Sequence, residues 1–265
     1  MNEFEAITDL DKGFAITKLD DKYGFVNENF EVVVEFKYDK VNSFHENFAI
    51  VSLVNKSKYV NSQNEEIIYL TDKYSFINTQ GEEVISFKYD HMFDFQDGVS
   101  IVTLNNKCSL INTLGEELIP FKYDYIDDFI EGQAVVSLNK KYGIINQKGE
   151  EIIPCKYNQM WTCYTEKKIF RVFRLEDKYG FITEEGNEIL LNEYKDIILG
   201  NRTLYYSKYK GNIIYVMMDK YEYERYIVFF GEKEEFKEWL YKNEVINYDE
   251  YINHINKIEQ QLLEN

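Results

Sequence analysis

The sequence predicts a mainly β fold: tandem antiparallel three-stranded meanders of about 34 residues, stacked as an elongated solenoid-like array with a small helical C-terminal cap. Three observations predict it. A phrase recurs: Tyr142-Gly-Ile-Ile-Asn146, then Gly149-Glu-Glu-Ile-Ile-Pro154 and Lys156-Tyr157, is echoed from Cys108 and from Tyr74, and more faintly from Tyr23 and Tyr179. The spacing is fixed: Gly81, Gly115, Gly149 and Gly186 are 34, 34 and 37 residues apart, and Tyr89, Tyr123, Tyr157 and Tyr194 keep the same intervals. Within each copy, short β-branched runs alternate with turn residues, the grammar of an antiparallel meander.

The elements follow in order. The array opens near Ala6, because Gly13-Phe-Ala-Ile-Thr-Lys-Leu19 aligns with Gly132-Gln-Ala-Val-Val-Ser-Leu138. In the clearest copy the strands are 134–138, 142–146 and 150–153, and the glycine before the third supplies the positive φ of a tight hairpin. Pro120 and Pro154 close the third strand, since proline cannot donate to the ladder. A connector such as Phe121-Lys-Tyr-Asp124 and an anchoring aromatic (Phe44, Phe95, Phe129) lead into the next repeat. Tyr38 precedes Tyr89 by 51 residues, which is 34 plus 17, and the excess holds Lys58-Tyr-Val-Asn61 and Glu65-Glu-Ile-Ile68, a shortened duplicate hairpin placed at 55–71. One such repeat cannot repay the entropy of ordering its own backbone, so neighbours must share a core.

After Tyr194 the pattern decays. Leu204–Lys208 and Ile213–Met217 alternate like a hairpin, and Tyr226–Phe230 reads as one more strand. The period then becomes helical, with Phe236, Trp239 and Leu240, and next Tyr248, Tyr251, Ile252, Ile255, Ile258 and Leu262, on apolar stripes. The expected organisation is an array of about five repeats over 1–200, followed by a β-hairpin and a two-helix cap over 201–265.

Composition bounds the function. With 45% apolar and 17% aromatic residues the chain is too hydrophobic for disorder. Its 47 acidic and 30 basic residues give a net charge of −17, which repels nucleic acid and anionic membranes and attracts cationic partners. The N-terminal residues lack an apolar h-region and no apolar run is long enough for a bilayer, so a cytoplasmic location is expected. Three cysteines, Cys108, Cys155 and Cys163, make no disulfide framework. Cys108, in a position held elsewhere by Tyr, reads as a small core side chain.

Lys22-Tyr-Gly-Phe-Val-Asn27, Gly149-Glu-Glu-Ile-Ile-Pro154 and Lys156-Tyr157 resemble the WG-repeat family, whose unit reads Lys-Trp-Gly-Tyr/Phe-Ile-Asn-x-x-Gly-x-x-Val-Ile-Pro-x-x-Tyr-Asp. The resemblance covers residues 6 to 200. The copies are divergent: the signature Trp is Tyr23, Tyr74, Cys108, Tyr142 and Tyr179, and its Gly becomes Ser75 and Ser109. The resemblance implies a bacterial β-repeat scaffold used for binding, with no catalytic residues to carry over.

The residues offer no competing chemistry. His45, His91 and His254 lie far apart without a metal-binding motif, and a site joining His91, Cys155 and Cys163 has only their places in the array behind it. Asp39, Asp90 and Asp124, and the pairs Glu82-Glu83, Glu116-Glu117 and Glu150-Glu151, could hold a cation or act as acid and base. They recur at one phase of every repeat, whereas an active site is singular. The expectation is that Asp caps a turn and that the Glu pairs guard hairpin shoulders. The tyrosine ladder (Tyr38, Tyr89, Tyr123, Tyr157, Tyr194) could stack sugars or fill the core.

Function is expected where the period fails. The connector Asn158–Tyr164 adds three residues and brings Trp161, so Met160, Trp161 and Tyr164, with Tyr59 of the duplicated hairpin, are the candidate partner-binding residues. The resulting expectation is a non-enzymatic protein-binding module without cofactor, metal or catalytic residues, for a basic protein partner. In its specific form it is an inhibitor or immunity protein for a nuclease-like toxin. The alternatives are carbohydrate or small-ligand binding through the aromatic rows, and an enzyme with an unrecognised carboxylate site.

Overall fold

The structure, a computed structural model, describes residues 5–6, 8, 10–164, 169–176, 178–183, 186–199, 202–209, 212–221, 224–231, 234–236, 238, 253, 255–257 and 260; side chains are described at 8, 10–162, 171–176, 178–183, 186–191 and the helical positions. It is mainly β. By contacts the chain divides into two compact units, residues 1–140 with 144–155, and 141–143 with 156–265, and each is taken by itself.

The first sheet is an antiparallel meander of β1 (Glu5–Ala6), β2 (Phe14–Leu19), β3 (Lys22–Asn27) and β4 (Val32–Tyr38). The second joins β5 (Lys40–Val41), β6 (Phe48–Val60) and β7 (Glu66–Asn78); the third joins β8 (His91–Met92), β9 (Val99–Leu104) and β10 (Lys107–Asn112). In both, the fourth strand is reduced to isolated bridges, Tyr74 with Tyr89 and Ile77 with Glu83, then Cys108 with Tyr123 and Ile111 with Glu117. A further sheet orders β11 (Tyr125–Ile126), β12 (Gln133–Leu138), β13 (Lys141–Asn146) and β14 (Glu151–Tyr157).

The predicted three strands are present in the first and fourth of these sheets, the third of them is reduced to bridges in the second and third sheets, and a short strand precedes them in all four. Its two residues lie in the segment read as a connector, directly after the Tyr-Asp pair, and bond to the next long strand: His91 and Met92 face Thr103 and Val102. Two residues are too few to show an alternation.

In the first, third and fourth sheets both hairpins that flank the first long strand are tight. Asp20-Asp21, Asn105-Asn106 and Asn139-Lys140 all have positive φ, as do Lys12-Gly13, Asp97-Gly98 and Glu131-Gly132, so both central residues match the right-handed strand twist. The core is aromatic and aliphatic. Phe25, Phe44, Val34 and Tyr38 form one cluster, Phe76, Phe95, Met92 and Tyr89 a second, and Leu110, Ile126, Phe129 and Tyr123 a third. Cys108 belongs to the third, as its alignment with Tyr implies.

In the second unit, β15 (Gln159–Tyr164), β16 (Ile169–Leu175), β17 (Lys178–Ile182) and β18 (Glu188–Leu190) form one antiparallel sheet. β19 (Asn192–Leu199), β20 (Arg202–Tyr209), β21 (Asn212–Tyr221) and β22 (Glu224–Gly231) form another. The hairpin expected from residue 201 is thus the middle of a four-stranded sheet that begins at Asn192. Positions 234–236, 238, 253, 255–257 and 260 are helical, and Phe236 and Ile255, both on the predicted stripes, are fully buried. Trp239, Leu240, Tyr248, Tyr251, Ile252, Ile258 and Leu262 lie outside the described residues.

Candidate functional site

The recurring polar residues are scaffold. In four repeats an Asn opens the turn before the last strand: the Asn112 side-chain oxygen accepts from the amides of Leu114 and Glu116, and its Nδ2 donates to the Glu116 carboxylate at 2.7 Å. Asn27, Asn78 and Asn146 do the same. The second Glu of each pair has a different task from the edge-guarding expected of it. Glu83 accepts from Lys37 at 2.8 Å and from the Tyr38 hydroxyl at 3.3 Å, one repeat back. Glu117 does so for Lys88 and Tyr89, and Glu151 for Lys122 and Tyr123. The lysine also lies over the following tyrosine ring, 4.7 Å from its centroid at Tyr123. Hydrogen bonding to Lys122 and then Tyr123 holds the Glu151 carboxyl below the ordinary range, and burial pushes the Tyr123 hydroxyl up.

The repeated Asp closes a second clamp. Asp39 accepts from Lys22 at 2.6 Å and from the Val54 amide at 2.9 Å. Asp90 and Asp124 pair with Lys73 and Lys107 and cap the amides of Asn105 and Asn139 at 2.7 and 2.6 Å. This is the turn-capping duty the sequence suggested. The ladder tyrosines Tyr38, Tyr89, Tyr123 and Tyr157 are completely buried, so no ring face is open to a sugar; the Tyr194 side chain lies outside the described residues.

Repeats also lock through glycine. A Cβ on Gly149 would stand 2.0 Å from Cγ2 of Ile119, and one on Gly115 would stand 2.1 Å from Cγ2 of Ile85. The isoleucine four residues after one turn thus fills the space above the glycine of the next turn. These glycines serve both φ, +77° and +78°, and stacking.

The remaining chemistry-bearing residues are in ordinary surroundings. His45 Nδ1 is 3.0 Å from the Phe95 carbonyl oxygen, and the His91 ring lies beside Tyr74. Cys108 and Cys155 are unpaired, and burial pushes the Cys155 thiol up to about 11. The Cys163 side chain and His254 lie outside the described residues. Among the described residues no group of three or more His, Cys, Asp or Glu is placed to hold a metal ion. No described helix is long and apolar enough to cross a membrane.

Of the four candidate partner-binding residues, three lie on β15. Met160 pairs with Phe173 in the ladder and is buried, which removes it from the surface of its unit. Trp161 is half-buried, its ring stacked on Tyr179 at 6.4 Å and 19°. The Tyr164 side chain lies outside the described residues. Tyr59 belongs to the other unit.

Tyr59 stands on the most unusual element of the molecule. β6 and β7 pair through thirteen consecutive positions, from Phe48 with Asn78 to Val60 with Glu66, without a register shift. Leu53 opposite Lys73 matches Leu19 opposite Lys22 and Leu104 opposite Lys107, which are joined by two-residue turns in the neighbouring repeats. Here residues 54–72 replace that turn. They number 72 − 54 + 1 = 19, two more than the 17-residue excess, because the ordinary turn itself uses two. Residues 55–71, expected as an extra hairpin, are the outer part of one long hairpin. The insertion prolongs two strands of the sheet into a ribbon, seven residues on each side and about 24 Å long.

The ribbon tip repeats the scaffold turn. Asn61 accepts from the amides of Gln63 and Glu65, and Asn64 holds the positive φ that glycine takes elsewhere. Paired residues share a face. One face carries Ser57, Tyr59, Ile67 and Tyr69, with the tyrosine rings edge to face at 5.9 Å. The other carries Lys56, Lys58, Val60, Glu66, Ile68 and Leu70, with Lys58 and Glu66 paired at 2.5 Å.

The apolar side chains are open: Tyr59 is 53% exposed, Val60 61%, Ile68 65%, Tyr69 44% and Leu70 62%. Ile68 is the positional equivalent of Ile85 and Ile119, four residues after its turn, yet no turn glycine covers it. Of these exposed side chains the sequence singles out Tyr59 and does not single out Val60, Ile68, Tyr69 or Leu70. The available signal was that Ile67-Ile68-Tyr69-Leu70 runs on towards Lys73 without the proline that closes the strand after Ile119 and Ile153.

No curated protein sequence matches the chain. Among solved structures, the AfRom2 CNH domain is 8% identical with a TM-score of 0.29, covering 84% of this chain and 81% of that one. A crystal structure of the Nidogen/Laminin complex gives 8% and 0.29, covering 84% and 94%. The tricorn protease gives 9% and 0.20, covering 87% and 36%. Such scores are too low for a common fold to be read from them. The profile described as "WG containing repeat" matches residues 23–56, 74–108, 109–142 and 142–170, passing over most of the ribbon. Through these four matches the chain belongs, over residues 23–170, to the WG containing repeat family.

Proposed function

We propose that this protein is a non-enzymatic binding module that presents the β6–β7 ribbon to a basic protein partner. The observation that carries the reading is the ribbon itself: five large apolar side chains stand open on an element that the family profile largely skips and that is a two-residue turn in neighbouring repeats. Paired tyrosines with aliphatic neighbours are the side chains protein interfaces favour. The net charge of −17 favours a cationic partner and speeds its approach. Unpaired Cys108 and Cys155 suit a reducing compartment, which supports a cytoplasmic site of action. The narrower form is an inhibitor or immunity protein that covers a basic cleft. The test is affinity capture with the intact chain and with a variant in which Tyr59, Ile68 and Leu70 are Ser. Recovery of a basic protein by the intact chain, lost in the variant and weakened by salt, is expected. Equal recovery by both, or affinity indifferent to salt, contradicts the proposal.

A further inference from the structure

Beyond the exposed side chains, the ribbon has two open backbone edges, and they differ. The direction of each edge follows from the scaffold. The Ser52 carbonyl accepts from Asp39 and the Val54 amide donates to the Asp39 carboxylate, both away from β7. Alternation then turns the backbone groups of Lys56, Lys58 and Val60 outward on the β6 side. On β7 the Tyr74 amide donates outward to the Tyr89 carbonyl, so Glu66, Ile68, Leu70 and Asp72 present their amides and carbonyls on the opposite edge. Among the described residues, no backbone hydrogen bond is given to the outward groups of Ile68 or Leu70.

Exposed edges are normally blunted by lysine, proline, a bulge or shortness. Several other edges here are blunted by shortness, as β1, β5, β8 and β11 are two residues each. The β6 edge of the ribbon carries Lys56 and Lys58. The β7 edge has charge only near its ends, at Glu65, Glu66 and Asp72: its register is unbroken, and from Glu65 to Asp72 it contains no lysine, arginine or proline. Along it the sequence runs Glu65-Glu66, then the apolar Ile67-Ile68-Tyr69-Leu70, then Thr71-Asp72. That order is acidic, apolar, acidic. Its complement is an extended segment with apolar residues at the centre and lysine or arginine at both ends. A second copy of this chain would meet both this acidic edge and a net charge of −17.

We infer that the outer edge of β7 from Glu66 to Asp72 is a strand-docking edge, which takes an extended basic–apolar–basic segment of a partner protein as an added strand. The partner's backbone pairs with the outward amides and carbonyls of Ile68 and Leu70, and its side chains lie against Ile68 and Leu70. The net charge of −17 favours cationic ends; at the edge itself Glu66 pairs with Lys58, Asp72 with Lys40, and Glu65 accepts from the Asn61 side-chain amide. The inference deepens the proposal that the ribbon is the binding surface and rests on it.

The experiment is residue-resolved amide exchange on the full chain with the acetylated, amidated peptide Lys-Thr-Val-Val-Val-Thr-Lys, and with its counterpart carrying Glu at both ends. The lysine peptide is expected to slow exchange at Ile68 and Leu70, and the glutamate peptide to leave it unchanged. Leu70→Lys, which adds an edge guard at an exposed position, is expected to weaken lysine-peptide binding at least about tenfold. Unchanged exchange protection at the inward amides of Tyr59, Ile67 and Tyr69 in that variant shows that the ribbon's inward ladder persists. Four results overturn the inference: no slowing at Ile68 and Leu70, equal binding of both peptides, protection at Lys56 and Lys58 instead, or protection without peptide that rises with protein concentration, which marks a second copy on the edge. Ribbon-dependent capture of a basic protein with the Ile68 and Leu70 amides still open would remove edge pairing and leave the proposed function standing.

Discussion

A single methyl group decides whether two repeats can stack. Gly98 and Gly149 have nearly the same φ, +77° and +78°, but only Gly149 has a neighbour's side chain in its Cβ space. Gly98→Ala therefore carries only the left-handed backbone penalty, about 1–2 kcal/mol. Gly149→Ala adds an overlap with Ile119, so a loss of about 2–4 kcal/mol is expected. Urea unfolding of the two variants compares them directly, and equal losses would remove the glycine lock. The first repeat shows the converse. Phe30 occupies the glycine position of its turn at φ 59° and is 70% exposed. Phe30→Gly relieves that strain and is expected to raise stability by up to about 1 kcal/mol.

At the scale of elements, the sequence disclosed what repeats and obscured what occurs once. Strands such as 142–146 were legible because five copies agree on the alternation, and the Asp caps because their phase is constant. The two-residue strands were not, since a pair such as His91-Met92 has no period. The ribbon was half legible. Its turn copied the scaffold, so the insertion read as a separate hairpin, but its register depends on pairing Leu53 with Lys73 across nineteen residues. The Glu pairs misled for a related reason: Glu83 acts on Lys37 and Tyr38, which are 46 and 45 positions away.

The ribbon should be dispensable for folding. None of Tyr59, Val60, Ile68, Tyr69 or Leu70 belongs to a core cluster. Replacing residues 54–72 with the Asn-Asn turn that joins β9 to β10 is expected to change stability by less than about 1 kcal/mol, because it restores the neighbouring hairpin. Calorimetry checks this, and a large loss would place the ribbon within the scaffold.

For the whole molecule, the clamps set the pH range of stability. Glu151 and Asp124 have carboxyls held low, by lysine hydrogen bonds first and then by the Tyr123 hydroxyl and the Asn139 amide. Their stabilisation is complete above the unfolded carboxyl range, about pH 4, and is lost as pH falls through their lower folded values. Lys37, Lys88 and Lys122 are raised, by hydrogen bonds to Glu83, Glu117 and Glu151, and lose theirs as pH rises through folded values above about 10.4. Burial raises Tyr38, Tyr89 and Tyr123, which adds to the alkaline loss. Stability should be flat between these limits, and Glu151→Gln should shrink the acid limb together with the part of the alkaline limb that Lys122 supplies through its bond to Glu151. An unfolding series from pH 3 to 11 reads both.

In the proposed division of labour the repeats make the fold and the ribbon binds the partner. The affinity of a captured partner for the intact chain and for the 54–72 turn replacement, measured side by side by calorimetry, decides it. The shortened protein is expected to unfold as the intact one does and to bind at least about a hundredfold more weakly. Undiminished affinity in the shortened protein would contradict it.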